Sequence, residues 1–158
     1  MMEDKDLLEY ENIGRRIKRN DKYTYVDSTR IEDHGTRLYD VNGSRLPSVT
    51  TILGRTKNQQ FIKDWKAKVG EAEAERIKNL SSSRGTAMHK FLEHYITGVG
   101  YDDLTALGQE AKAMANKVIE VGLTPVEEYF GSEVTLYYPG LYAGSTDLVC
   151  LHNGRETI

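Results

Sequence analysis

The chain has 158 residues, 39% of them hydrophobic and 28% charged, which is the composition of one ordinary globular domain. Its first residues are acidic and polar, unlike a signal peptide, and no apolar run reaches membrane-spanning length. We therefore expect a cytoplasmic protein. The net charge of −3 argues against a protein that coats nucleic acid nonspecifically, because neutralising phosphates requires a surplus of Lys and Arg.

The N-terminal residues differ in composition from the rest of the chain. Residues 1–21 are charged, have few apolar positions and include a basic run at 15–19. This pattern predicts a flexible charged arm, followed by a single core domain over residues 22–158.

Two short strands and a helix start are predicted next. Residues 23–26 and 37–41 have the aromatic and branched residues of strands, and the polar stretch 27–35 separates them, so a small hairpin is expected. The following Ser48 and Thr50 could cap a helix or bind phosphate oxygens.

Helices are predicted over the middle of the chain. Apolar spacing between residues 61 and 80 indicates two packed helices broken near Gly70. The serines at 81–83 predict an N-cap for a helix from Arg84 to Ile96, which Gly98 ends. Its inward stripe is expected to contain Met88, Leu92, Tyr95 and Ile96.

The clearest amphipathic helix follows and stops at Gly122. Its apolar positions, three and four residues apart, are Leu104, Leu107, Ala111, Met114, Val118 and Val121.

The C-terminal part predicts strands at 133–138 and 141–151, with a second hairpin turn at Asn153-Gly154. Cys150, the single cysteine, lies among apolar residues and is expected to be a small core residue without a disulfide. Only residues 155–158 follow the turn, so we expect a chain cut off within a strand whose exposed sheet edge invites a homo-oligomer.

Two carboxylates on these strands are candidate metal ligands. Asp147 alternates with Val149 and Leu151, and an ionised carboxylate among apolar neighbours needs a compensating charge. A three-residue loop at 139–141 would place Glu133 opposite Asp147, with Cβ atoms about 5 Å apart. Hard cations such as Mg²⁺ prefer such oxygen ligands, whereas the alternative is a pair of solvated strand-edge residues.

The helix after the serines offers further candidates. His89 and Glu93 are four residues apart and project from one side, so Glu93 could orient His89. Arg84, with free N–H groups at the expected helix start, would form a phosphate site, or else be a solvated residue. The stretch does not spell the His-Glu-x-x-His pattern of zinc peptidases.

Together these elements resemble a known family. Arg84-Gly85-Thr86-Ala87-Met88-His89 is similar to the Arg-Gly-Thr-x-x-His helix of RecB-type nucleases in the PD-(D/E)XK superfamily, and Gly144-Ser145-Thr146-Asp147 resembles their Gly-x-x-Asp strand. Residues 46–50 also resemble the start of phage exonucleases and of mitochondrial genome maintenance exonuclease. The match spans roughly residues 46–158.

The resemblance implies an α/β, restriction-endonuclease-like core: an N-terminal hairpin and helices, then a mixed sheet that lacks its closing strand. It implies a metal-dependent DNA exonuclease of a phage or bacterial host cell, acting in recombination or in DNA replication and repair, with Mg²⁺ or Mn²⁺ as cofactor. It assigns His89, Glu133 and Asp147 to the metal. Arg84, Thr86, Ser48 and Thr50 are the expected contacts to DNA.

The family places an Asp or Glu, one residue and a Lys on the strand after Asp147, and this spelling does not follow Asp147 here. Residues 1–158 are therefore expected to be inactive by themselves. Two alternatives stay open: a non-catalytic nucleic-acid or protein interaction module, and a metal enzyme of another class using His89, Glu93 and His94.

Overall fold

Two β-sheets and four α-helices form residues 17–158, the part of the chain that the computed structural model describes. The mixed α/β class is as predicted. None of these helices is both long and apolar enough to cross a bilayer. The strands are β1 (Lys18–Arg19), β2 (Ser28–Asp33), β3 (Thr36–Val41), β4 (Ser44–Pro47), β5 (Val126–Tyr138), β6 (Tyr142–His152) and β7 (Arg155–Thr157). The helices are α1 (Val49–Thr56), α2 (Gln60–Val69), α3 (Glu71–Thr97) and α4 (Ala106–Val118).

The small sheet is an antiparallel meander in the order β2-β3-β4. It confirms the predicted strand at 37–41, but the predicted strand at 23–26 is wrong, since the first strand lies in the polar stretch 27–35. Most of β2 is exposed, so it lacks the apolar alternation by which strands are recognised. Tyr23 instead packs edge-to-face on Phe130.

The large sheet has the order β1-β5-β6-β7, with β1 parallel to β5 and the other pairs antiparallel, so it is mixed as predicted. Most of the predicted arm, residues 1–16, lies outside the described residues. Its last part is wrong: β1 pairs with β5, and Ile17 is buried in the core. An apolar side chain next to the sheet is better buried than solvated. Its core neighbours are Tyr95, Ile96, Val126, Tyr129 and Cys150.

Helix α3 runs without interruption for 27 residues, so the predicted start near Arg84 is wrong. The serines at 81–83 lie inside it. Interrupting a helix leaves up to four C=O groups before the break and up to four N–H groups after it without partners, whereas an exposed mid-helix serine costs only about 0.5 kcal/mol relative to alanine. The predicted break at Gly70 and the end at Gly98 are confirmed, and both glycines have positive φ.

The packing of α4 on α3 depends on small residues. Gly108, Ala111 and Ala115 are buried, and the last two contact Phe91 of α3, which is fully buried. Most of the predicted apolar stripe is exposed instead: Met114 and Val118 in α4, and Leu104 and Val121, which lie outside the helix as it forms. Small side chains let two helices approach closely, and a hydrophobic pattern dominated by large residues does not reveal this. A π-helical turn, Ile119–Leu123, follows α4.

The small sheet docks on the large one next to the candidate site. Tyr39, Val41 and Leu46 pack on Ala143 of β6. On β5, the hydroxyl oxygen of Thr135 lies 2.6 Å from that of Ser28 on β2. These contacts hold β2 beside the middle of the β5–β6 hairpin.

Candidate metal centre

The β5–β6 hairpin places Glu133 opposite Asp147. A three-residue loop at 139–141 joins the strands, and the pairs Ser132–Leu148 and Val134–Thr146 flank the position where the two carboxylates face each other. The register predicted from the loop length is confirmed. It brings together two acidic residues that lie fourteen positions apart in the sequence.

Glu133 has a strained backbone. Its φ is +53°, in the left-handed region that residues with a side chain rarely adopt. Such a conformation costs about 1–3 kcal/mol and persists only where the surrounding structure imposes it, which is common at functional sites. In this hairpin the strained residue coincides with the candidate ligand.

Helix α3 adds His89 to the pair of carboxylates. One ligand atom from each of His89, Glu133 and Asp147 lies within 4.8 Å of the others, and all three residues are exposed. His89 Nδ1 lies 3.3 Å from Asp147 Oδ1. The structure therefore unites the three residues to which the family resemblance assigns a metal.

The expectation that Asp147 lies among buried apolar neighbours is wrong. Its side chain is 68% exposed, although Val149 two residues later is buried. The strand passes from the core to solvent between these positions. Asp147 therefore needs no buried compensating charge, and the argument for a cation rests on the proximity of the two carboxylates.

The neighbouring carboxylates affect the pKa of Glu133. Its pKa is raised above the ordinary glutamate value, first by partial desolvation of its carboxyl and then by the neighbouring Asp147. The charge of Glu93 raises it further, while His89 lowers it. Glu93 thus adds negative charge to the site. The ring of His89 forms its hydrogen bond with Asp147 rather than with Glu93. A divalent cation would relieve this repulsion.

The three residues open into a cleft of about 570 Å³, which we call the metal cleft. Sequence reasoning missed four of the residues that line it, because no local pattern connects them with the motifs. They are Arg30 from β2 and Ser81, Ser82 and Lys90 from α3. The period of α3 could have indicated the last three, since they lie one or two turns from Thr86 or His89 on that helix.

The helix start expected to form a phosphate site with Arg84 is wrong. Because α3 continues through this position, no free N–H groups of a helix start exist there. The guanidinium lies 3.5 Å from Glu110 of α4, and Arg84 does not line the metal cleft. Thr86 does line it, with its hydroxyl donating to the Ser82 carbonyl at 3.0 Å.

The structure favours the capping role of Ser48 over the expected DNA contact. Ser48 is 1% exposed, and its hydroxyl caps α1 by accepting from Thr51 N at 2.9 Å. It also donates to the Thr51 hydroxyl. Thr50 is exposed, but it lines a neighbouring cavity with Thr36 and Arg55 rather than the metal cleft. Capping explains why serine stands at position 48.

His94 is not part of the cluster. Its ring stacks on Tyr101 with centroids 4.7 Å apart, and its Nδ1 is buried without a hydrogen-bond partner in the described part of the chain. The geometry therefore does not favour a metal site built from His89, Glu93 and His94.

Gly144, which starts the Gly-x-x-Asp segment, lies against α1. A Cβ atom at this position would come within 3.3 Å of Val49 Cγ2, closer than ordinary van der Waals contact. The glycine therefore lets α1 pack on β6 three residues before Asp147.

The chain matches no protein-family model, no curated protein and no solved structure. Its resemblance to RecB-type nucleases therefore depends on the motifs at residues 84–89 and 144–147.

Proposed function

We propose that the chain binds Mg²⁺ or Mn²⁺ through His89, Glu133 and Asp147 and belongs to a metal-dependent DNA exonuclease of the RecB type. The observation that carries this proposal is the clustering of the three ligand atoms within 4.8 Å in an open cleft. The three residues come from distant parts of the sequence, and two of them stand in the motifs that resemble this family.

The donor set suits a hard or borderline divalent cation. Two carboxylates and one imidazole leave coordination positions for water and for a phosphate oxygen, which Mg²⁺ and Mn²⁺ readily accept. When bound, such an ion supplies Lewis-acid stabilisation of the phosphoryl group and a water of lowered pKa.

The protein residues then have separate tasks. Asp147 and Glu133 provide the negative charge that attracts the cation, and Asp147 also orients the His89 ring through its contact with Nδ1. The hydroxyls of Ser81 and Ser82, which line the cleft, can donate to phosphate oxygens of the DNA backbone. Thr86 could do so only by giving up its hydrogen bond to the Ser82 carbonyl.

Residues 1–158 alone are proposed to bind metal and DNA with little hydrolysis. In nucleases of this kind a lysine stabilises charge that develops at the phosphorus. Lys90 is the lysine that lines the metal cleft in the described residues, and its Nζ lies 4.8 Å over the Tyr101 ring centroid instead. The same observation favours the second candidate function, a non-catalytic nucleic-acid-binding module.

Calorimetric titration with Mn²⁺ tests the metal site. The wild-type chain should bind the ion, EDTA should reverse the binding, and Asp147→Ala should abolish it. Asp64→Ala, which removes an exposed carboxylate on α2, is the matched control and should bind as the wild type does. Wild-type binding that survives Asp147→Ala would refute the proposed site.

A nuclease assay separates the two candidate functions. Labelled single- and double-stranded oligonucleotides are incubated with the chain and with Mg²⁺ or Mn²⁺. Metal-dependent release of nucleotides, even if slow, that Asp147→Ala removes supports the nuclease. Metal-dependent binding without any hydrolysis supports the module.

A further inference from the structure

The small sheet contributes Arg30 of β2 to the metal cleft. Alternate residues of a strand point to the same face, so Arg30 lies on the same face of β2 as Ser28. Ser28 contacts Thr135 of β5, which is two residues from Glu133. The contact between the sheets thus brings an arginine from a distant part of the sequence to the carboxylate cluster.

Glu32, the partner of Arg30, has a second cationic partner. Arg30 Nη2 donates to Glu32 Oε1 at 2.9 Å, and Arg37 Nε donates to the same oxygen at 3.3 Å. The Arg30 and Glu32 side chains are about half exposed, and ion pairs of this kind contribute little stability. If Arg30 turned to another anion, Glu32 would keep Arg37.

The other groups in the metal cleft make Arg30 the suitable cation for a phosphate. Glu93, Glu133 and Asp147 repel an anion until a metal is bound, and Lys90 is placed over an aromatic ring. A nucleic-acid strand with one phosphate at the metal has further phosphates on either side of it. The guanidinium fork of Arg30 suits the bidentate recognition of one of them.

We propose that Arg30 is a substrate-binding residue that releases Glu32 and binds a backbone phosphate adjacent to the phosphate at the metal cluster. The proposal rests on the nucleic-acid-binding function proposed above. It adds the small sheet to α3 and the β5–β6 hairpin as a second wall of the cleft that contacts DNA. It predicts a contact to the backbone and therefore no dependence on base sequence.

The test compares Arg30→Ala with Arg37→Ala in the otherwise intact chain. Both variants lose one positive charge and one hydrogen bond to Glu32, but only Arg30 lines the metal cleft. Binding of labelled single- and double-stranded oligonucleotides is followed by fluorescence anisotropy in Ca²⁺. Arg30→Ala should weaken binding about tenfold, and the dependence of log Kd on log salt concentration should become shallower by about one. Arg37→Ala should weaken it less than about twofold.

Two further variants examine the mechanism. Arg30→Lys keeps the charge without the fork and should recover only part of the affinity. Glu32→Gln frees Arg30 and should raise the affinity. Equal losses for Arg30→Ala and Arg37→Ala, or an affinity reduced by Glu32→Gln, would overturn the proposal.

The Mn²⁺ titration distinguishes failure of this proposal from failure of the metal site. Arg30→Ala should bind Mn²⁺ as the wild type does, because Arg30 is not one of the clustered ligands. A wild-type chain that binds no Mn²⁺ would contradict the metal site alone. In EDTA the unneutralised carboxylates should weaken DNA binding by every variant, but the anisotropy comparison repeated there would still show whether Arg30 contributes more to the remaining binding than Arg37.

Discussion

The two walls of the metal cleft differ in how they are built. The β5–β6 hairpin and α3 carry the histidine and the carboxylates: strand register places Glu133 opposite Asp147, and the packing of α3 beside β5 adds His89. The small sheet carries Arg30, whose place depends on the docking of β2 beside β5. In the first wall only the pair of carboxylates can therefore be derived from sequence, and the second wall emerges only from tertiary contacts. The following variants separate the two, from the largest expected effect to the smallest.

The two histidines of α3 should differ most. His89→Ala removes a proposed ligand and should weaken Mn²⁺ binding by about 100-fold, since even residues that only orient a ligand contribute about 10- to 100-fold. His94→Ala removes a ring stacked on Tyr101 and should lower the thermal stability while leaving Mn²⁺ affinity unchanged. Calorimetric titration at a temperature where both variants are folded measures this. A loss of Mn²⁺ affinity in His94→Ala but not in His89→Ala would favour the alternative of a metal enzyme of another class.

Glu133→Gln should show how the charge of the Glu133 carboxylate affects the stability of the metal-free fold. In the metal-free fold the pKa of Glu133 is raised, so at pH values between the unfolded and the folded pKa the native state holds a proton that the unfolded state has lost. The corresponding stability is present below the unfolded pKa and is lost as pH rises through the higher folded pKa. Metal-free Glu133→Gln should therefore have a Tm above the wild type at pH 7, by less than about 3 °C, and no advantage near pH 3.5.

The same substitution should weaken Mn²⁺ binding at neutral pH. For the wild type, Mn²⁺ affinity should fall as pH drops through the raised pKa of Glu133, because the ion competes with that proton. Thermal melts in EDTA and titrations at several pH values measure both effects. A Glu133→Gln variant less stable than the wild type at pH 7 would contradict the electrostatic account.

Ser48→Ala tests the cap of α1, the helix that follows the small sheet. It removes the cap of α1 and leaves Thr51 without a partner for its N–H, so the free energy of unfolding should fall by about 1–2 kcal/mol. Ser83→Ala, in the interior of α3, is the control and should change it by less than about 0.5 kcal/mol. Urea denaturation measures both, and equal effects would mean that Ser48 is not a structural cap.

Ser28→Ala should have the smallest effect on stability. It removes a contact between the small sheet and β5, the two walls of the cleft. The hydroxyl contact with Thr135 is partly buried, and a hydrogen bond of this kind contributes about 1 kcal/mol. The variant should lose some DNA affinity, because Arg30 is held less firmly beside the cleft, and should keep its Mn²⁺ affinity. Anisotropy and calorimetry on one preparation check both. A loss of Mn²⁺ affinity instead would show that the walls are not independent.

The predictions from sequence succeeded where the cause was local. A loop of three residues sets the register of Glu133 and Asp147, and Gly70 and Gly98 end helices because they adopt positive φ. The prediction failed at 81–83, where helix continuity outweighs the preference of serine for caps.

Tertiary structure explains the remaining differences. The strand β2 is polar and exposed, and it forms by pairing with β3 rather than by burying an apolar face. The same pairing carries Arg30 to the metal cleft. No pattern within the sequence joins Arg30 to His89, which lies 59 positions away.

The close contact between Gly144 and Val49 has an evolutionary consequence. Because a methyl group at position 144 would lie 3.3 Å from Val49 Cγ2, replacement of the glycine by alanine requires the exposed valine to move by a few tenths of an ångström, and a smaller residue at position 49 would remove that requirement. In descendants of this sequence, alanine at position 144 should therefore often be accompanied by a smaller residue at position 49. Alanine at position 144 alone would move Val49 or α1 relative to the strand that carries Asp147, one of the proposed metal ligands.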